Sequence, residues 1–208
     1  SALSLVDRGF IYAIAHVRGG QDKGYRWYKD GKREKKMNTF TDFIAAAEYL
    51  VGKGWTAPDR LVIQGESAGG LLVGACLTQR PDLWNAVVVQ VPLLDMLRYH
   101  KLLAGASWMG EYGDPDDAVE GAFLRKISPY HNLKEGTKYP EPFFVTSSKD
   151  DRVHPGHARK MAAKMEAMNA DVRYYENIEG GHGGAANNQQ EAHMRALAYT
   201  FLLQQLRK

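Results

Sequence analysis

Apolar residues recur along this chain in two patterns: short runs, and longer stretches spaced three and four residues apart. The runs predict buried strands and the spaced stretches amphipathic helices. Strands are expected at residues 10–15, 60–64, 86–91, 143–146 and 172–175. A helix over 39–51 places Phe40, Phe43, Ile44, Ala47 and Leu50 on one face, with Asn38 or Thr39 as its cap. Further helices are expected over 68–79, stopped by Pro81, and over 156–168 and 189–204. Residues 92–140 show no strand pattern and predict only short helices near 93–99 and 118–125. Strands alternating with helices argue for a largely parallel sheet covered by helices, and no repeat or linker divides the chain.

Composition narrows the functional classes. The 208 residues are 44% hydrophobic and 25% charged, an ordinary globular balance that excludes a disordered chain. No run approaches the roughly 18 apolar residues that would cross a membrane. Cys76 is the single cysteine, which excludes a disulfide framework and a cysteine-based zinc site; it is expected to be a buried small hydrophobe. A lone thiol favours the cytoplasm, although it suits the periplasm too. The net charge is +3, and the densest basic run, Lys32-Arg33-Glu34-Lys35-Lys36, is expected to be a solvated loop. Neither nucleic acid nor membrane is expected as a partner.

The chemistry centres on Gly65-Glu66-Ser67-Ala68-Gly69, a G-x-S-x-G sequence between a predicted strand and a predicted helix. That setting is the one a nucleophile elbow needs. The flanking glycines are expected to avoid collisions in a tight turn that lifts the Ser67 hydroxyl, and the Ala68 N–H at the helix start would face a developing oxyanion. A serine needs a base, and the base needs an orienting carboxylate. Ser147-Ser148-Lys149-Asp150-Asp151-Arg152 follows the fourth predicted strand, and Glu179-Gly180-Gly181-His182-Gly183-Gly184 follows the fifth. His182, on a glycine-rich loop suited to closing over the serine, is the base. Spacing does not choose between Asp150 and Asp151. His154 and His157 could form half of a metal site, but no third ligand accompanies them, so surface or capping roles are expected.

Six blocks extend the pattern: His16-Val17-Arg18-Gly19-Gly20, residues 38–43 (Asn-Thr-Phe-Thr-Asp-Phe), 79–83 (Gln-Arg-Pro-Asp-Leu), 95–101 (Asp-Met-Leu-Arg-Tyr-His-Lys), 128–132 (Ser-Pro-Tyr-His-Asn) and Asp150-Asp151-Arg152-Val153. With the elbow, they make residues 9–208 resemble the C-terminal part of the peptidase domain of the prolyl oligopeptidase family of serine peptidases. The resemblance implies an α/β-hydrolase fold with helices on both faces of the sheet and a single domain over 1–208. It also implies Ser67 as nucleophile, His182 as base, Asp150 as orienting acid and Ala68 as oxyanion donor, with no cofactor and no metal. Arg152 would hold a substrate carbonyl. Family members carry a β-propeller and further strands, so the chain is expected to be N-terminally truncated. A second oxyanion donor, a tyrosine, would lie in the absent segment. A piece lacking it is expected to be nearly inert and to associate through an exposed sheet edge.

Two branches of that family differ in the pocket for the residue before the cut. Cleavage after Arg or Lys, as in oligopeptidase B, needs carboxylates, whereas cleavage after proline uses an aromatic slot. Residues 95–101 with Trp108, Tyr112 and Val153 look like the post-proline branch, and only Glu111 remains acidic near Trp108. Ala68 and Glu66 depart from the post-proline pattern. The expected activity is a serine oligopeptidase cutting short peptides after proline. The alternatives are oligopeptidase B-like or broad cleavage, a carboxylesterase of the same fold, or a catalytically silent piece.

Overall fold

The computed structural model describes residues 2–207. Four of the apolar runs form strands, β1 (Val62–Glu66), β2 (Ala86–Gln90), β3 (Glu141–Ser147) and β4 (Arg173–Asn177). They lie side by side in the order β1-β2-β3-β4, every neighbouring pair parallel. Five longer helices accompany them: α1 (Met37–Gly52), α2 (Ala68–Gln79), α3 (Ala118–Ile127), α4 (Gly156–Ala167) and α5 (Asn188–Gln205).

Side-chain alternation along the strands separates two cores. Ile63, Val87, Val89 and Phe144 face Ala47 of α1, Val73 and Leu77 of α2, and Met161 and Met165 of α4. Ala86, Val88, Phe143 and Val145 face Met194, Ala198, Phe201 and Leu202 of α5. Helices therefore cover both faces. Cys76 is fully buried in the first core, and burial pushes its thiol up to about 12, so it behaves as an inert hydrophobe.

Three expectations need correction. Residues 10–15 form no strand. Ile11, Tyr12 and Ile14 are 70%, 58% and 68% exposed, and the segment lines a cleft of about 1680 Å³ whose opposite wall is β1. A strand exists only through its ladder, and among the described residues this segment has no ladder partner. Second, α1 begins before its expected caps. The Asn38 amide donates instead to Asp30 O, and the Thr39 hydroxyl to Arg18 O, tying the helix to the preceding loop. Third, residues 93–98 are not helical. The amides of Leu94 and Asp95 point at His157 Nδ1, that of Met96 at Ser128 Oγ and that of Leu97 at Asp95 Oδ1. Side chains occupy the donors that a helix would need.

Candidate active site

The serine sits where β1 turns into α2. Its backbone has φ 56° and ψ −113°, a strained geometry for a residue with a side chain, and its N–H is held by Gln90 O of β2 at 2.9 Å. The two motif glycines are unequal. A Cβ on Gly65 would lie 2.1 Å from Gly69 O, so the turn requires glycine there. A Cβ on Gly69 would meet nothing within 4 Å, so the expected steric need for the second glycine is not found. Gly70 is the crowded one, because a Cβ there would meet Pro92 Cβ at 2.6 Å. The Ala68 N–H heads α2 and has no intrahelical partner, which leaves it available to an oxyanion.

The loops after β3 and β4 bring the other two residues to the serine. His182 Nε2 lies 3.1 Å from Ser67 Oγ. On its far side, His182 Nδ1 lies 2.9 Å from Asp150 Oδ2 and 3.0 Å from Oδ1. Asp150 is 4% exposed and His182 8%. The amides of Arg152 and Val153 both donate to Asp150 Oδ1, at 2.9 and 2.8 Å, which locks the carboxylate in place. Asp151, its competitor in sequence, is exposed. The glycine loop is braced rather than loose: Ser147 Oγ donates to Gly180 O, Asn177 Nδ2 to Gly184 O at 2.8 Å, and the Gly184 amide to Gly181 O at 2.8 Å.

The residues expected to line a substrate pocket share one apolar cluster. Tyr112 and Val153 are buried in it with Tyr99, Phe40 and Leu71, and Trp108 packs against it half-buried. Tyr99 meets Tyr112 edge-on at 5.6 Å. Since the Val153 amide binds Asp150, this cluster is fastened directly beside that carboxylate. Arg152 is exposed, and its guanidinium holds no acid among the described residues. Glu66 is exposed and lines the cleft beside β1, where its charge reaches Arg195. Glu111 is already engaged, accepting from Tyr28 Oη at 2.9 Å and from Lys36 Nζ at 2.7 Å. The basic run is therefore only partly solvated, because Lys36 is buried against Glu111 and Arg33 pairs with Glu120.

The remaining histidines divide by environment. His157 is 2% exposed, not on the surface as expected, and burial lowers its pKa to about 4. Its neutral Nδ1 accepts from the amides of Asp95 and Leu94, at 3.0 and 3.3 Å. Periodicity alone places His157 on the inner face of α4, a signal the short His-x-x-His spacing obscured. His154 accepts from the Gly156 amide at 2.9 Å, while the cap position of α4 itself is Pro155. His16 pairs with Asp22. His100 gathers with Asp114 and Asp116, their ligand atoms within 4.8 Å of one another, although Lys101 Nζ already holds Asp116 at 3.2 Å.

Comparison with known proteins shows which family the chain is similar to. The family model described as "Prolyl oligopeptidase family" matches residues 1–208. An uncharacterized peptidase, y4nA, of Sinorhizobium fredii (strain NBRC 101917 / NGR234) is 55% identical over 201 residues, covering 97% of this chain and 28% of that protein. A solved prolyl endopeptidase superposes with a TM-score of 0.93 at 43% identity, over 99% of this chain and 31% of that one. Oligopeptidase B from Leishmania major superposes with a TM-score of 0.95 at 33% identity, over 99% of this chain and 29% of its own. The chain thus spans less than a third of the length of the relatives it matches.

Proposed function

The chain belongs to the prolyl oligopeptidase family, with the α/β-hydrolase fold of its catalytic domains, and from that premise we propose that it carries the catalytic centre of a serine oligopeptidase cutting short peptides after proline. The observation that carries this reading is the continuous chain from Ser67 Oγ through both nitrogens of His182 to Asp150. With its proton on Nδ1 and Asp150 as acceptor, His182 presents a free Nε2 to the serine. As Ser67 Oγ attacks the scissile carbonyl, Nε2 takes its proton, and the buried Asp150 carboxylate stabilises the imidazolium. Charge developing on the carbonyl oxygen meets the Ala68 N–H at the positive end of α2. The imidazolium then protonates the leaving amine, and the acyl-enzyme is hydrolysed by a water that His182 deprotonates. The free Arg152 guanidinium is suited to a backbone carbonyl of the bound peptide.

Support for proline comes from the aromatic and aliphatic character of Trp108, Tyr112 and Val153, which offers packing surface to a pyrrolidine ring. Cleavage after Arg or Lys is the second reading, favoured by the match to oligopeptidase B. Two measurements on the full-length protein test the proposal. A fluorophosphonate probe should add its mass in the unaltered protein and not in Ser67→Ala; absence of labelling sinks the hydrolase reading. Matched peptides with Pro or Arg before the scissile bond should show a higher kcat/KM for Pro. An Arg preference replaces the post-proline reading with the second one.

A further inference from the structure

The one acidic residue in the turn that carries Tyr112 is neutralised by a buried lysine from a distant part of the chain. Glu111 lies in the helical turn Met109–Tyr112, beside Tyr112 and three residues beyond Trp108. The Lys36 side chain is 9% exposed, and its ammonium sits 2.7 Å from Glu111 Oε1 and 5.2 Å from the centre of the Tyr112 ring. The Tyr28 hydroxyl occupies Glu111 Oε2. Lys32, whose ammonium lies 5.1 Å from the centre of the Tyr28 ring, is a second cation that feels Glu111. Glu111 therefore has both oxygens engaged, and a buried ammonium stands behind the aromatic wall.

We propose that Lys36 is a specificity-setting residue acting through Glu111: by consuming the acid beside Trp108 and Tyr112, it denies the pocket a counter-charge for Arg or Lys. This rests on the reading of Trp108, Tyr112 and Val153 as the wall of that pocket. A guanidinium entering it would leave water, find no free carboxylate and approach a like charge. Proline carries no charge at its ring and is indifferent to the pair. Releasing Glu111 should therefore admit cations without rebuilding the aromatic surface.

The test measures kcat and KM for matched Pro and Arg peptides on the full-length protein. Lys36→Met should raise the Arg-to-Pro ratio of kcat/KM roughly tenfold, mainly through a lower KM for Arg, because a carboxylate is freed near the wall. Lys36→Arg should keep the original ratio, and Lys36→Met combined with Glu111→Gln should restore it. Glu111→Gln alone leaves Lys36 as a bare cation and should lower the ratio about threefold. That arm decides the matter if Lys36→Met does not fold. A ratio unchanged within about twofold in Lys36→Met and in Glu111→Gln overturns the proposal, since a merely structural pair would lower both substrates together. The shift is read against the unaltered protein's own ratio. An unaltered protein preferring Arg thus refutes the post-proline reading, while the variants still report on the switch.

Discussion

Residues 10–15 and residues 86–89 of β2 are each an unbroken apolar run, yet they end in opposite environments. The run in β2 is paired on both sides, and Val87, Val88 and Val89 are 0% exposed. Residues 10–15 line a cleft that β1 also lines, with Ile11 70% and Ile14 68% exposed. Apolar sequence makes a segment capable of being a strand, but the pairing of backbone groups makes it one. The candidate chemistry follows the same division. Ser67, Asp150 and His182 all follow the C-terminal ends of paired strands, where neighbouring ladders fix the loops that hold them. Residues 10–15 hold none of them.

The comparison is sharpened most by removing a link in the paired region. Asp150→Asn should keep the fold yet lower kcat by about four orders of magnitude, because His182 loses the acceptor that sets its tautomer. Thermal melting and peptide hydrolysis on the full-length protein check both halves. Next come the two elbow glycines. Gly65→Ala should destabilise by about 3 kcal/mol, because its Cβ collides with the Gly69 carbonyl. Gly69→Ala, which meets nothing, should be neutral or gain about 0.5 kcal/mol from helix propensity. Urea titrations distinguish them, and equal losses would break the assignment of the close contact to Gly65.

His157 supplies a pH-dependent test of the buried side. Its pKa is about 4 when folded, against 6.5 for an ordinary histidine. Between those values the unfolded chain binds the extra proton and the folded chain does not. The stability from neutral His157 is therefore full above pH 6.5 and falls as pH drops toward 4, by about 3 kcal/mol in total. His157→Asn should flatten that part of the urea-derived stability profile. The smallest effect belongs to the unpaired region. Ile14→Lys should change stability by less than about 0.5 kcal/mol. It should weaken any self-association seen by sedimentation, whereas a loss of several kcal/mol would mean that the segment is packed after all.

Much of this was legible beforehand, because it depends on neighbours along the chain. The period of apolar residues reports which face of a helix or strand is buried, so the four strands and all five longer helices fell close to their expected positions. The elbow was legible for the same reason: strand, turn and helix are consecutive there. His182 could be singled out from its glycine loop, but Asp150 against Asp151 could not be resolved by spacing. In the structure the difference is burial and two backbone amides donating to Asp150.

What the sequence alone determined is thus the local geometry: where strands give way to helices, and which loops carry the serine, acid and histidine. Tertiary structure decided which groups became neighbours across long separations. Lys36 and Tyr28 reach Glu111 from 75 and 83 residues away, and His157 meets the amide of Asp95 from 62. Whether residues 10–15 join a sheet depended in the same way on what lies beside them. Local pattern fixes backbone preference and facing, whereas charge pairing, burial and ladder formation are set by contacts that no short window of sequence contains.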